Sequence, residues 1–101
     1  MKPTITGIGA GLDGQGKPIQ IAADPRFGGA QSITVTGSGL ANADLAIAVG
    51  PTYPGWEPLA VFSVTDSSLL ILPRLPLRGQ YALVIATKDL QLSDVFTFQV
   101  L

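Results

Sequence analysis

The chain has 101 residues, six Lys or Arg against seven Asp or Glu, a net charge of -1, and 47% hydrophobic against 13% charged residues. That is one small domain, and the balance excludes both a disordered charged tail and a protein that binds nucleic acid by neutralising phosphates. The sequence has no His and no Cys, so a Cys/His zinc site, a Cys nucleophile, a Ser-His-Asp triad and a haem or iron–sulfur centre are excluded within it.

The N-terminus reads Met1-Lys2-Pro3-Thr4-Ile5, with no apolar run of signal-peptide length behind it. The longest apolar run, Leu69 to Pro73, is far short of the roughly 20 residues of a spanning helix. The expectation is a complete, unprocessed product without membrane insertion. Asn42 is followed by Ala43 and Asp44, which is no glycosylation acceptor.

Thr4 to Ile8 is expected as a first short strand. Behind it, Gly7, Gly9, Gly11, Gly14 and Gly16 crowd a stretch with few large apolar residues. Ordering glycine costs backbone entropy. This stretch is either a loop bridging two sheets or an arm ordered by contact with something else. Residues 1–16 are thus a Gly-rich arm, or first strand and loop, ahead of a domain over 17–101. Gly9 to Gly14 also matches G-x-G-x-x-G, and Gly11 to Lys17 approaches a P-loop. A phosphate site needs a helix to follow, and Pro18 stands where the magnesium-ligating hydroxyl belongs. The reading is a glycine loop with no cofactor.

Pro18 to Ala23 is expected as a second strand, with Ile19 and Ile21 on one face. Ser32 to Gly37 places Ile33 and Val35 inward and Thr34 and Thr36 outward. Gly37 and Gly39 flank Ser38, where a left-handed turn is expected. Leu40 to Val49 alternates Leu45, Ile47 and Val49 against Ala46 and Ala48, a strand with a short helical turn as the alternative. Gly50-Pro51 ends it.

Pro51 to Pro58 reads as a loop and as the best candidate binding surface. Tyr53 and Trp56 offer aromatic area, and Pro51, Pro54 and Pro58 reduce the entropy lost on binding. The competing reading folds Trp56 back over the core. Leu59 to Val64 places Leu59, Val61 and Ser63 opposite Phe62 and Val64. Ser68 to Leu72 is nearly all apolar, so it is expected to be buried on both faces or under a loop. Arg74 and Arg78 flank Leu75-Pro76-Leu77, either as a clasp for a partner's carboxylates or as a solvated turn. From Gly79 the last two strands follow. Gln80 to Thr87 alternates Tyr81, Leu83 and Ile85 with Ala82, Val84 and Ala86, and Tyr81 can return its hydroxyl to the backbone. Val95 to Leu101 sets Phe96, Phe98 and Val100 on one face. Seven to eight short strands make an all-β protein with a β-sandwich as the expected architecture.

The acidic residues Asp13, Asp24, Asp44, Glu57, Asp66, Asp89 and Asp94 are scattered. None lies in a calcium-loop pattern, so no metal is expected, and a pair of glycosidase carboxyls is disfavoured against solvated loop charges. Nothing in the residues points to catalysis.

The order of elements resembles the IPT/TIG group of immunoglobulin-like domains. Pro25-Arg26-Phe27-Gly28-Gly29 is followed by Ile33-Thr34-Val35-Thr36-Gly37-Ser38-Gly39-Leu40 and Ala48-Val49-Gly50. Ser67 to Pro73, Gly79-Gln80-Tyr81 and a closing Phe96-Thr97-Phe98 complete the pattern. The likeness spans about Pro18 to Leu101. Leu40 departs from it where the group has Phe, and Pro51 to Pro58 is longer than the group's loop. The resemblance implies a non-catalytic spacer, adhesion or assembly module, and as a free-standing chain a virion accessory protein of phage type, such as a capsid decoration or tail component. It implies protein neighbours, capsid or tail subunits or further copies of itself, at a surface that includes Tyr53, Trp56, Arg74 and Arg78. The alternative is a carbohydrate-binding or adhesion module of a larger extracellular protein.

Overall fold

The computed structural model describes residues 2–51 and 53–101, with the backbone alone at Phe27, Tyr53 and Pro54. It is all-β, with seven antiparallel strands and one 3₁₀ turn, Arg26–Gly29. In chain order the strands are β1 (Thr4–Gly9), β2 (Ile33–Ser38), β3 (Ala43–Gly50), β4 (Tyr53–Phe62), β5 (Ser68–Ile71), β6 (Gly79–Thr87) and β7 (Phe96–Val100). They form one sheet in the order β1-β2-β5-β4-β3-β6-β7. β4 joins the two halves. Its first part pairs with β3, and only Val61 and Phe62 pair with β5, opposite Ile71 and Leu70. The sheet curls until its halves face each other, giving a nearly barrel-shaped molecule.

The core fills the space between the halves. β1, β2 and β5 supply Ile5, Ile33, Val35, Leu69 and Ile71, while β3, β6 and β7 supply Ala46, Ala48, Tyr81, Leu83, Ile85 and Val100. The inward side of β3 is its alanine side. Large side chains reach it from across the core, and Ala46 and Ala48 leave room for them. The ring of Tyr81 stacks on Phe98 at 5.8 Å between centroids. It lies so close to Gly50 that a methyl group there would stand 2.1 Å from the ring.

The strand expected over Pro18 to Ala23 does not form. Pro18 and Ile21 make only isolated bridges, Pro18 to Leu12 and Ile21 in parallel to Val100. Pro18 lacks an amide, and its ring packs over Gly7 and Gly9 of β1. Ala23 donates to the Leu101 carbonyl and Leu101 to that of Ile21, so this segment covers the free edge of β7. Residues 4–9 are a sheet strand, and the glycine-rich residues behind them turn back as a small hairpin. There Asp13 donates to Lys17 O and Gly16 to Asp13 O.

The expected loop Pro51 to Pro58 is corrected as well, because β4 begins at Tyr53. Proline is tolerated in a strand that is paired on one side only. Over the stretch that faces β3, β4 has no second neighbour, so Pro58 sits opposite Ile47 without breaking a ladder. Ser63, with φ 50°, ends β4 and reverses the alternation. Phe62 faces out by the alternation of β4 itself, and Val64, beyond Ser63, turns to the core. In β5, Leu69 and Ile71 are buried while Leu72, just beyond, is exposed, so the segment is buried on one face rather than both.

Two glycines have distinct physical reasons. Gly39 adopts φ +68°, as the turn chemistry predicts. Gly37 has no positive φ. It is an extended residue of β2 opposite Ile5, and a methyl group on it would stand 1.9 Å from the Thr4 carbonyl oxygen.

A candidate interaction face on the outer side of the sheet

The alternation that sends Ala46, Leu83 and Phe98 inward sends their neighbours out. On the half formed by β4, β3, β6 and β7, cross-strand pairing arranges the outward residues in three rungs. The first runs Ala60, Leu45, Ala86 and Leu92. The second runs Pro58, Ile47 and Val84, and alternation sets Val95 beyond Val84. The third holds Val49, Ala82 and Thr97, with Trp56 next to Glu57 on the β4 side, where the register between β3 and β4 shifts. Thr97 is the only polar member and none is ionisable.

Val84 and Ala86 are buried, yet they are not part of the core cluster. Leu45, Ile47 and Val49 are half-buried, while Trp56 at 51% and Val95 at 57% remain open to solvent. The outer face of the other half is different. Thr34 and Thr36 on β2 and Ser68 on β5 share it with Leu70 and Phe62. One side of the molecule is thus a mixed, hydroxyl-bearing surface and the other a contiguous apolar one.

The candidate residues from the sequence divide between two places. Trp56 belongs to the apolar face and does not cap the core. Tyr53 was paired with it, but its side chain lies outside the described residues. Arg74 lies beside β4 at the border of that face, with Pro58 common to both. It lines an open cleft of about 290 Å³ with Glu57, Pro58, Leu59 and Leu72, where β4 parts from the segment after β5. Arg74 also bridges to Ala30 through the backbone. Arg78 is exposed, ahead of Gly79, whose φ is +140° and which abuts Pro51. Arg74 and Arg78 therefore do not join Trp56 in one site. Tyr81 is structural: its hydroxyl donates to the Leu77 carbonyl at 2.9 Å.

The glycine motif near the N-terminus is occupied by its own side chain. The amides of Gln15 and Lys17 both donate to Asp13 Oδ1, at 2.8 and 2.9 Å. These donors already serve an anion, which is the opposite of an open phosphate cradle. Asp24 accepts from the Arg26 side chain at 2.8 to 3.2 Å and from the Arg26 amide. The guanidinium bonds lower the Asp24 pKa to about 2, the amide adding to them. Asp89 is also held below the usual carboxylate range, chiefly by the Thr87 hydroxyl. It lines a second depression of about 220 Å³ with Asp66, Asn42 and Gly39. No group of three or more metal-ligating side chains occurs among the described residues. No helix among them is long and apolar enough to cross a membrane.

Outward Leu45, Ile47 and Val49 were visible in the sequence as one face of an alternating strand. Nothing in the sequence alone sets Val84, Ala86 and Pro58 on the surface. The signal available was that β3 and β6 carry apolar residues at both parities, which a strand solvated on one side does not need. Comparison with protein-family models and with curated proteins finds no match for this chain.

Proposed function

We propose that this protein is a non-enzymatic assembly module of immunoglobulin-like, IPT/TIG type, which engages protein neighbours, as a decoration or tail accessory protein of a phage-type virion does. The apolar outer face of β4, β3, β6 and β7 carries this reading. Soluble monomers rarely expose contiguous apolar surface on this scale unless something docks there. The immunoglobulin-like assignment draws support from the strand order, with β4 passing from one half of the sheet to the other. It is further supported by Tyr81 at the start of β6, whose hydroxyl bonds four residues upstream, as in the tyrosine corner of such sandwiches. A photo-crosslinking residue at position 47, expressed in the native source, should capture a protein, and the adduct should sediment with a large particle. The same residue at position 36, on the hydroxyl-bearing face, should capture none. Absence of a protein adduct at 47 overturns the reading.

The exposed Trp56 favours carbohydrate binding as a second reading, since an open indole stacks well on a sugar ring. Glycan screening with Trp56→Ala as control separates the two.

A further inference from the structure

We infer that the occupant of the apolar face is a second copy of this chain, docked as a two-fold dimer. This rests on the reading of that face as a protein-docking surface and commits it to one partner. Charge supplies the first argument. A partner with a charged surface would leave its ions unpaired against three rungs in which no described residue is ionisable, Asp44, Glu57 and Arg74 lying at their border, and burying an unpaired charge is costly. The face itself is one of the few surfaces that meets this face without that cost.

Relief supplies the second. Leu45, Ile47 and Val49 make a ridge along β3, and beside it Ala82, Val84 and Ala86 make a lower row along β6, a groove with Val84 at its middle. A two-fold axis that runs along the strands between β3 and β6 lays the ridge of each copy over the groove of the other. The interface is then isologous, with every contact made twice. The same axis brings Trp56 of one copy over Thr97 of the second. An axis across the strands would stack ridge on ridge, which packs poorly.

Area supplies the third. Four strands about 4.8 Å apart and three rungs about 6.8 Å apart make a patch roughly 20 Å on each side. With side-chain relief it hides on the order of 600 Å² per copy and about 1,200 Å² in all, the lower bound for a specific, stable interface. The dimer is therefore compact and reversible, with Trp56 and Val95 at its rims.

Sedimentation equilibrium of the full chain tests this. The wild type should populate a species of twice the chain mass. Ile47→Arg should raise its dissociation constant on the order of a hundredfold, because the guanidinium would be desolvated at the centre of the contact. Thr36→Arg should leave it unchanged. Circular dichroism confirms that each variant is folded. Cysteine pairing checks the axis, because the chain has no native Cys. Mixed Trp56→Cys and Thr97→Cys proteins should form disulfide-linked pairs under mild oxidation, and Thr97→Cys alone should not. A wild type that stays monomeric at millimolar concentration overturns self-association. So does a dimer indifferent to Ile47→Arg. Either result leaves the broader docking reading standing if the crosslinker at position 47 captures a different protein. Capture of nothing at 47 removes both.

Discussion

Replacing Gly37 with Ala isolates a steric demand from a conformational one. Gly37 lies in β2 without a positive φ, so alanine's backbone preferences are satisfied there. The added methyl group, however, would stand 1.9 Å from Thr4 O, 2.9 Å from Thr4 C and 3.2 Å from Ile5 Cα. To reach an ordinary contact of about 3.5 Å, the Thr4 carbonyl must withdraw by about 1.6 Å. All three of these atoms are backbone, so no side chain can rotate out of the way. The first half of β1 must leave its register with β2. Ile5, which is 9% exposed and packs in the core, moves with it. Losing most of its burial costs about 1.5–3 kcal/mol, and one ladder hydrogen bond adds about 1 kcal/mol. The sum is about 2.5–4 kcal/mol, or a fall in Tm of about 10–30 °C for a domain of this size. Urea unfolding and thermal denaturation followed by circular dichroism measure the loss, and amide exchange of β1 locates it. Gly14→Ala is the control, since nothing lies within 4 Å of a methyl group there and its φ is not positive. It should change stability by less than about 1 kcal/mol, in the stabilising direction. Gly37→Ala within about 0.5 kcal/mol of wild type, with β1 amides still protected, would refute the close approach.

Tyr81→Phe removes the bond to Leu77 O and keeps the stack on Phe98; chemical denaturation should register a loss of about 1–2 kcal/mol. Ser93→Ala should cost about 1–3 kcal/mol in the same assay, because the buried Ile85 amide donates to Ser93 Oγ at 2.8 Å and would lose its acceptor. The Asp24 carboxyl should titrate by NMR near pH 2 and return toward 3.8 in Arg26→Ala. Its folded pKa is depressed, so the stability from the pair is present above about pH 4 and is lost as pH falls toward 2. Trp56 is the only Trp, so its emission should shift to the blue as protein concentration rises and the face is covered, and Ile47→Arg should abolish that shift.

The two-residue period marked β2, β6 and β7 well, because each mixes inward Ile, Val, Leu or aromatic residues with Thr, Ala or Gln. It could not say which face of β3 turns inward. A period has two phases, and the choice belongs to the volumes facing it. Ile33, Val35, Leu69 and Ile71 fill the space that larger residues on the inner side of β3 would need, so the alanines go in. β4 was obscured by its prolines, which signal a loop until the neighbouring strand is known to pair on one side only. That error hid Pro58 and Trp56 from the surface they share with Ile47 and Val49. Pro18 to Ala23 failed in the opposite sense: it alternates like a strand, yet it finds only single bridges along the β7 edge. The outer face thus became legible only when register joined four strands, none of which carries the signal alone.

Coverage of that face can be read directly, methyl by methyl, with a soluble paramagnetic probe in NMR. Leu72 and Leu90, exposed elsewhere on the molecule, set the scale for open methyls. At micromolar concentration Ile47, Val49 and Val95 should relax in proportion to their exposure. As concentration rises, these three should become shielded while Leu72 and Leu90 do not change. If Ile47, Val49 and Val95 stay accessible at every concentration, and in the presence of extract from the native source, the face covers nothing and the account is wrong.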